Sequence, residues 1–313
     1  MPSEEPKAHH YVQCAYLEAF CDPELSDKAG RPRLRVYSPT RPMRTQIPRE
    51  CAVENYFYCF GQDGERNFVV EKTLAEMENA SAPVLNAARR GRLPNNMTDR
   101  LTLAGYIALS IVRTPTAKRI VDQAYIDAHV EKLRQLIDTP GRLEAYLEKE
   151  AETTGIKRDE DEERRKLKGG RMRAVQTSHG GSLLMMFQQL PVFQEKIVRM
   201  HWILLRSDSM FLTCDQPVVL PSPDRKLAHL QPGQIDPNFL FPVSRKFCLA
   251  GSSFQIGPYG EVDEEGTKAI NIALVRRADR FVYSPFPSPY IQKELDESHR
   301  AKAEKMKSDV VQL

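Results

Sequence analysis

The sequence predicts an α+β fold: one mixed or antiparallel sheet built from N- and C-terminal strands, with a central helical segment packed on it. Three observations carry this. Short runs rich in Val, Tyr, Phe and Leu, bounded by Pro or Gly, occupy the first third and the last third of the chain. Apolar residues at helical spacing take over between them. A strands–helices–strands order closes one core when the terminal strands share a sheet. The 313 residues are read as a single α+β domain. N-terminal strands span 9–70 and a helical segment 71–200, with a charged linker at 157–173; C-terminal strands span 201–285 and a last helix 286–313.

Element by element, "HHYVQCAYLEAF" (9–20) suits a short helix, with Val12, Tyr16, Leu17 and Phe20 on one side. "LRVYSP" (34–39) and "ENYFYCF" (54–60) read as strands, and "NFVVE" (67–71) as a third strand after the "GQDGE" turn. A helix follows with Leu74, Met77, Val84, Leu85 and Ala88 in one stripe, and Pro83 is expected to kink it. The stretch 97–115 is apolar nearly all round and reads as the buried central helix, with Thr98 or Asp99 at its cap and Pro115 at its end. Helices are also expected over 117–138, 141–155 and "SLLMMFQQLPVFQEKIVRM". The charged stretch 157–173 holds almost no apolar residue and should be exposed, as a salt-bridged helix or a linker hinged at Gly169–Gly170. "HWILLRSDSMFLTCD" reads as two strands, "NFLFPVS" and "KFCLAGS" as two more, and "RFVYS" as the last.

Composition removes several function classes. Hydrophobic residues make up 41% and charged residues 28%, ordinary for a chain with a sizeable core. A net charge of +3 gives no single-signed field aimed at nucleic acid or membrane. The six cysteines (14, 21, 51, 59, 214, 248) form no CxxC pair, so they are expected as free thiols. "MPSEEPKAHH" lacks a signal-peptide pattern, and no apolar run reaches the ~18–20 residues of a membrane helix. The expectation is a cytoplasmic protein without a membrane partner. Nucleotide-binding, metalloprotease and serine-hydrolase signatures (GxGxxG, GxxxxGK[ST], HExxH, GxSxG) are missing.

A few polar residues stand out against the apolar pattern. In "SMFLTCDQPVVLP" (209–221) the carboxylate of Asp215 interrupts what would otherwise be a buried strand, and Pro217 ends ladder pairing. A buried carboxylate needs a partner, hydrogen bonds or a metal; a turn-forming role competes with a site role. Held on a rigid strand end, it should tolerate Asp215→Asn as a fold and lose its function. Glu71 and Glu78 are seven residues apart, about 20° apart on a helix, a spacing that suits a shared proton or cation as well as two solvated glutamates. Arg113 ends the most apolar helix, where a carboxylate or an anionic substrate would meet it, unless it snorkels to solvent. His9 and His10 precede the first element, where imidazole can act as base or ligand and a flexible tail is the competing reading.

"HHYVQCAYLEAF", "LRVYSP", the Glu71–Glu78 segment, "RTP" (113–115), "FLTCDQPV", "FPVS" (241–244) and "RFVYSP" together resemble the DUF4238 family, widespread and mostly bacterial, over about residues 9–285. The opening and the T-x-D-x-P-V element at Thr213–Val218 are the most specific parts. The family's opening usually reads HHYVPQ-F-Y-L, and here Gln13, Cys14 and Ala15 depart from it. The resemblance puts His10, Glu71, Glu78, Arg113 and Asp215 on motif positions. It supplies no activity.

Two readings stand open. In the first the chain is a metal-dependent hydrolase, a phosphodiesterase or nuclease of defence or toxin type. His10, Glu71, Glu78 and Asp215 would be catalytic, and Glu71, Glu78 and Asp215 would hold Mg²⁺ or Mn²⁺. Arg113 and Thr213 would bind a nucleic acid or another phosphorylated substrate. In the second it is a non-catalytic protein-binding or regulatory module whose polar groups form a buried salt-bridge network. Convergence of these residues on one solvent-reachable pocket favours the first, and separate pairing favours the second.

Overall fold

The computed structural model describes residues 7–59, 68–168, 178–220, 237–255 and 257–311. They form an α+β fold in which strands cluster at the two ends of the chain and helices fill the middle. Strand β1 (Ala8–His10) and helix α1 (Cys14–Leu17) precede β2 (Asp22–Ser26), β3 (Pro32–Ser38), β4 (Arg41–Gln46) and β5 (Val53–Asn55). Helices α2 (Val69–Arg89), α3 (Met97–Val112), α4 (Pro115–Asp138), α5 (Arg142–Thr154), α6 (Glu160–Lys168), α7 (His179–Gln188) and α8 (Leu190–Arg199) follow. Then come β6 (His201–Arg206), β7 (Thr213–Cys214), β8 (Phe239–Pro242), β9 (Phe247–Ser252), β10 (Tyr259–Glu261), α9 (Glu264–Arg277), β11 (Val282–Ser284) and α10 (Pro289–Val311). Two compact units are present: Met1–Pro115 with Phe187–Leu313, and Thr116–Met186.

N- and C-terminal strands meet in one antiparallel sheet of the larger unit, ordered β2-β3-β11-β7, with β4 also paired to β3. Two further sheets lie outside it. One is the antiparallel pair β1-β5; the other is the mixed sheet β10-β6-β9-β8, in which β10 runs parallel to β6. The stretch expected as two adjoining strands therefore divides between two sheets, β6 in one and β7 in the other. Residues 207–212 make the crossing, and Asn271 of α9 pins them: its side chain accepts from Leu212 N–H and donates to the Met210 carbonyl, each at 3.0 Å.

Register decides what each face of the shared sheet carries. Val282 pairs with Tyr37 and Cys214, and these face the apolar core made with Ile270, Leu274, Ile291 and Leu295 of α9 and α10. Tyr283 pairs with Val36 and Thr213, and Val36 with Arg44, so these four side chains share the opposite face. That alternation is what presents Thr213, Tyr283 and Arg44 to the N-terminal segment.

Several local expectations change. "HHYVQCAYLEAF" begins as a strand, because β1 pairs with β5, and is helical only from Cys14. The strand expected over 54–60 ends at Asn55, since Tyr56 adopts φ 55° and turns the chain inward. "NFVVE" joins α2 instead of forming a strand; Asn67 and the "GQDGE" turn lie outside the described residues. Pro83 sits inside α2 without ending it. Asn96, not Thr98 or Asp99, caps α3, accepting from Asp99 N–H at 2.8 Å. The helix expected over "SLLMMFQQLPVFQEKIVRM" divides into α7 and α8 at Pro191, which lacks the N–H that a continuous helix needs. Helix α3 is buried at every position from Leu103 to Ser110, although Met97 and Leu101 in its first turns are exposed, and α8 packs on it. Gln194 donates to the Leu101 carbonyl at 3.0 Å, and Arg100 lies 4.1 Å from the Trp202 ring centre.

In the smaller unit, Gly141 and Gly155 hold φ near +72° and +71° at the two ends of α5, where a side chain would be strained. Asp122 of α4 pairs with Lys118 at 2.7 Å and accepts from Ser182. The charged stretch forms α6 on the surface, laced by Arg164–Glu160 and Lys166–Glu162 pairs; 169–173 lie outside the described residues.

One test of the mixed sheet is steric. Gly251 faces Phe239 across the β8–β9 ladder, and a Cβ there would fall 2.0 Å from the ring. Gly251→Ala should destabilise the protein by about 1–3 kcal/mol, read as a lower urea midpoint with an unchanged slope.

Candidate functional site

The expected site residues occupy two separate places in the larger unit. The first is built where β1, the Tyr56–Cys59 turn, α2 and the end of α3 come together. Arg113, at the α3 C-cap, is only 4% exposed, and each of its three nitrogens is engaged. Nη1 donates to Glu78, Nη2 to the His10 carbonyl, and Nε to the Tyr58 hydroxyl at 3.4 Å. Tyr58 in turn donates to the Arg113 carbonyl at 2.7 Å. Burial works against the guanidinium charge, but Tyr58 and Glu78 outweigh it and raise the Arg113 pKa. Each of the three guanidinium nitrogens thus already donates to a protein acceptor, where the expected role was to bind an anionic substrate.

Glu71 lies on the same side of α2 as Glu78, two helical turns earlier, as their spacing predicts. Its side chain is 30% exposed, yet its Oε2 is buried and has no hydrogen-bond partner among the described residues. His9 Nδ1 lies 3.9 Å from it. Burial pushes the Glu71 carboxyl above the usual carboxylate range; His9 and Arg113 pull it down, and the Glu78 charge pushes it further up.

The histidine beside Glu71 is His9, not His10. His9 is fully buried, stacked on Tyr58 with ring centres 5.8 Å apart, and flanked edge-on by Tyr56 and Phe68. The Tyr58 backbone N–H donates to its Nδ1 at 3.0 Å, so the proton of the neutral ring resides on Nε2, which faces Cys59 Sγ at 4.0 Å. His10 turns the other way, half-buried, with Nδ1 3.2 Å from the Cys51 carbonyl, and burial lowers its pKa. Alternation along a strand forces this choice, since neighbours on β1 cannot face the same side.

Asp215 belongs to the second place. It is 2% exposed, and its carboxylate accepts three backbone N–H groups: Asp279 at 2.8 Å on Oδ1, Arg280 at 2.7 Å and Phe281 at 3.1 Å on Oδ2. Its own N–H donates to the Phe281 carbonyl at 3.0 Å. Burial raises its pKa to about 6 against the pull of these hydrogen bonds. The carboxylate is a staple that holds the turn before β11. Among the described residues no group of three or more His, Cys, Asp and Glu could hold a metal ion, so Glu71, Glu78 and Asp215 do not form the expected ligand set. Thr213 is buried and bonded at 2.9 Å to the Tyr16 hydroxyl, which donates to the Pro242 carbonyl at 2.8 Å; it too faces structure and not substrate.

A family model described as a protein of unknown function, DUF4238, matches residues 8–285. The chain belongs to this family. No curated protein matches it, and no solved structure does. Both places are built from DUF4238-like segments: His9, His10 and Tyr11 from the opening, Arg113 from "RTP", Asp215 from "TCDQPV", and Arg280 to Tyr283 from "RFVYSP". An open groove of about 760 Å³ between the β3–β4 turn and the start of α10 is lined by Tyr37, Pro39, Met43, Pro287 and Gln292, and by none of the expected site residues. No described helix is long and apolar enough to cross a membrane.

The staple makes a prediction opposite to the one drawn from sequence. Asn at 215 offers one oxygen where the carboxylate meets three N–H donors, and its amide would point N–H at N–H. Asp215→Asn should cost about 2–4 kcal/mol of stability, measured by chemical denaturation at pH 7. A loss below about 0.5 kcal/mol would rule out the staple.

Proposed function

We propose that this DUF4238 protein is a hydrolase whose acid–base group is Glu71. The observation that carries the reading is the buried, unpartnered Glu71 Oε2 on a side chain that still reaches solvent. Two carboxylates on one helix face are in unlike settings: Glu78 is ion-paired to Arg113, whereas burial pushes the Glu71 carboxyl above the usual carboxylate range. A desolvated carboxyl raised above its ordinary range is how a fold prepares an acid–base group. Glu71 would deliver its proton to a leaving oxygen and recover it from the attacking water. His9, stacked and with its Nδ1 occupied by Tyr58 N–H, fixes the wall behind Glu71. The substrate class retained is a phosphodiester, with Mg²⁺ or Mn²⁺ as assay arms.

The test uses bis(p-nitrophenyl) phosphate and p-nitrophenyl acetate, each with and without Mg²⁺ or Mn²⁺. Glu71→Gln should lower kcat about 10²–10⁴-fold and remove the limb on which activity falls as pH rises. Stability carries the sign independently. A folded pKa raised above the ordinary 4.5 stabilises the protein below that value, and the contribution is lost as pH rises through the folded value. Glu71→Gln should therefore be more stable than the parent at pH 8 and not at pH 4. Equal hydrolysis by parent and variant would sink the acid–base role.

A second reading is favoured by a different observation, the engagement of all three Arg113 nitrogens with protein acceptors. Here the cluster is a buried brace in a non-catalytic module. Removing one partner of such a pair costs about 3–5 kcal/mol, so Arg113→Met should unfold at a markedly lower denaturant concentration. If the parent hydrolyses neither substrate, the brace is the whole role of this cluster.

A further inference from the structure

The second place has more buried donors than acceptors. The hydroxyls of Tyr11 and Tyr283, Arg44 Nη1 and Arg280 Nε are all buried and, among the described residues, make no hydrogen bond. Tyr11 and Tyr283 are each 1% exposed. Burial raises the pKa of both phenols, so both carry their protons. Three of the four residues lie about Phe281, and Tyr11 joins them through Arg280. Arg44 and Arg280 lie 5.7 and 5.8 Å from its ring centre, and the Tyr283 ring is 6.4 Å away. Arg280 also lies over the Tyr11 ring at 5.4 Å. Sheet register supports the grouping, since Tyr283, Val36 and Arg44 stand in one cross-strand row on one face.

The acceptors within reach are already committed. Both Asp215 oxygens are taken by the backbone N–H groups of residues 279–281, Glu54 accepts from Arg280 Nη2 at 3.3 Å, and Asp279 Oδ2 stays 3.9 Å from Arg280 Nε, an ion pair outside hydrogen-bond distance. A buried donor left without an acceptor costs about 1–3 kcal/mol, and native proteins keep few of them. Four together, two of them on guanidinium groups, call for a ligand that only accepts. Arg280, 43% exposed and lying over the Tyr11 ring, connects this group of donors to solvent along its long side chain.

We propose that Tyr11, Arg44, Arg280 and Tyr283 form an anion site that takes a phosphate group. Two guanidinium groups match phosphate geometry and charge, and two phenol hydroxyls fill the remaining oxygens. Three of the four residues have a clear sequence context: Tyr11 follows the paired histidines, and Arg280 and Tyr283 flank the Phe281 turn that Asp215 holds. The site does not involve Glu71 and does not rest on its role.

Calorimetry of the full chain with inorganic phosphate tests this, with acetate as the carboxylate arm. The parent should bind phosphate, and bind acetate at least tenfold more weakly. Tyr11→Phe and Tyr283→Phe should each weaken phosphate binding at least tenfold, and Arg280→Gln should abolish it. The Phe variants stay folded, because they delete hydroxyls that bond to nothing in the unliganded protein, so their melting temperatures without phosphate should equal or exceed the parent's. No phosphate binding by the parent overturns the site. So does parent-like affinity in both Phe variants, or acetate binding as tight as phosphate.

Discussion

Arg113 is the constraint around which the N-terminal half is arranged. A guanidinium that is 4% exposed cannot shed its charge, so every nitrogen must be met. The partners come from three places distant in sequence: Glu78 on α2, the His10 carbonyl at the end of β1, and Tyr58 on the turn after β5. Meeting them fixes where β1 ends and how α2 lies along α3. It also forces Tyr58 inward, which explains why the expected strand through "ENYFYCF" stops at Asn55 and why Tyr56 takes up a left-handed conformation uncommon outside glycine. The brace thus creates the setting of Glu71, which is left beside a charge pair whose valences are already used.

Asp215 solves the same problem with backbone donors instead of a side-chain cation. Three N–H groups converge on it because the chain from Ala278 to Phe281 leaves α9 and must turn into β11. Without an acceptor, that turn would bury its own N–H groups. The staple orders residues 279–281, and with them the Arg280 and Phe281 side chains beside Tyr11. A carboxylate that is expensive to bury is tolerable here because it replaces three unmet donors. The same engagement makes it a poor metal ligand, since its oxygens already face protein hydrogens.

Much of the architecture was legible in the residues. The strand-favouring residues of "LRVYSP" and "RFVYSP" marked strands that do pair, and the apolar run of 97–112 marked a helix that is buried at every position from Leu103 to Ser110. Glu71 and Glu78 were placed on one helix face by spacing alone, and they lie there. What failed had physical causes that a single sequence hides. Periodicity could not separate a three-residue strand from a short helix at "HHYV", because the deciding partner is β5, more than 40 residues on. The choice between His9 and His10 depended on that same strand pairing. Asp215 looked like a site residue because its three donors are backbone groups 64 to 66 residues away, and backbone donors leave no mark in side-chain composition. Tyr11, Tyr283 and Arg280 were passed over because phenols and arginines in strands read as ordinary packing until their hydrogen bonds are counted.

The DUF4238-like motifs converge, but on two places and not one, and the geometry of β1 explains why. His9 and His10 are successive strand residues, so their side chains leave on opposite sides, and the chain then carries Tyr11 on towards the shared sheet. His9 enters the Tyr58–Glu71 side, the His10 carbonyl meets Arg113, and Tyr11 enters the side held by Asp215 and covered by Arg280. One short segment therefore serves as the common wall of the Glu71 cluster and a donor-rich cluster. A single metal centre would have required Asp215 to cross that wall. Two chemically different places that share three consecutive residues need no such crossing: the desolvated Glu71 carboxyl lies on one side, and the unmet donors lie on the other.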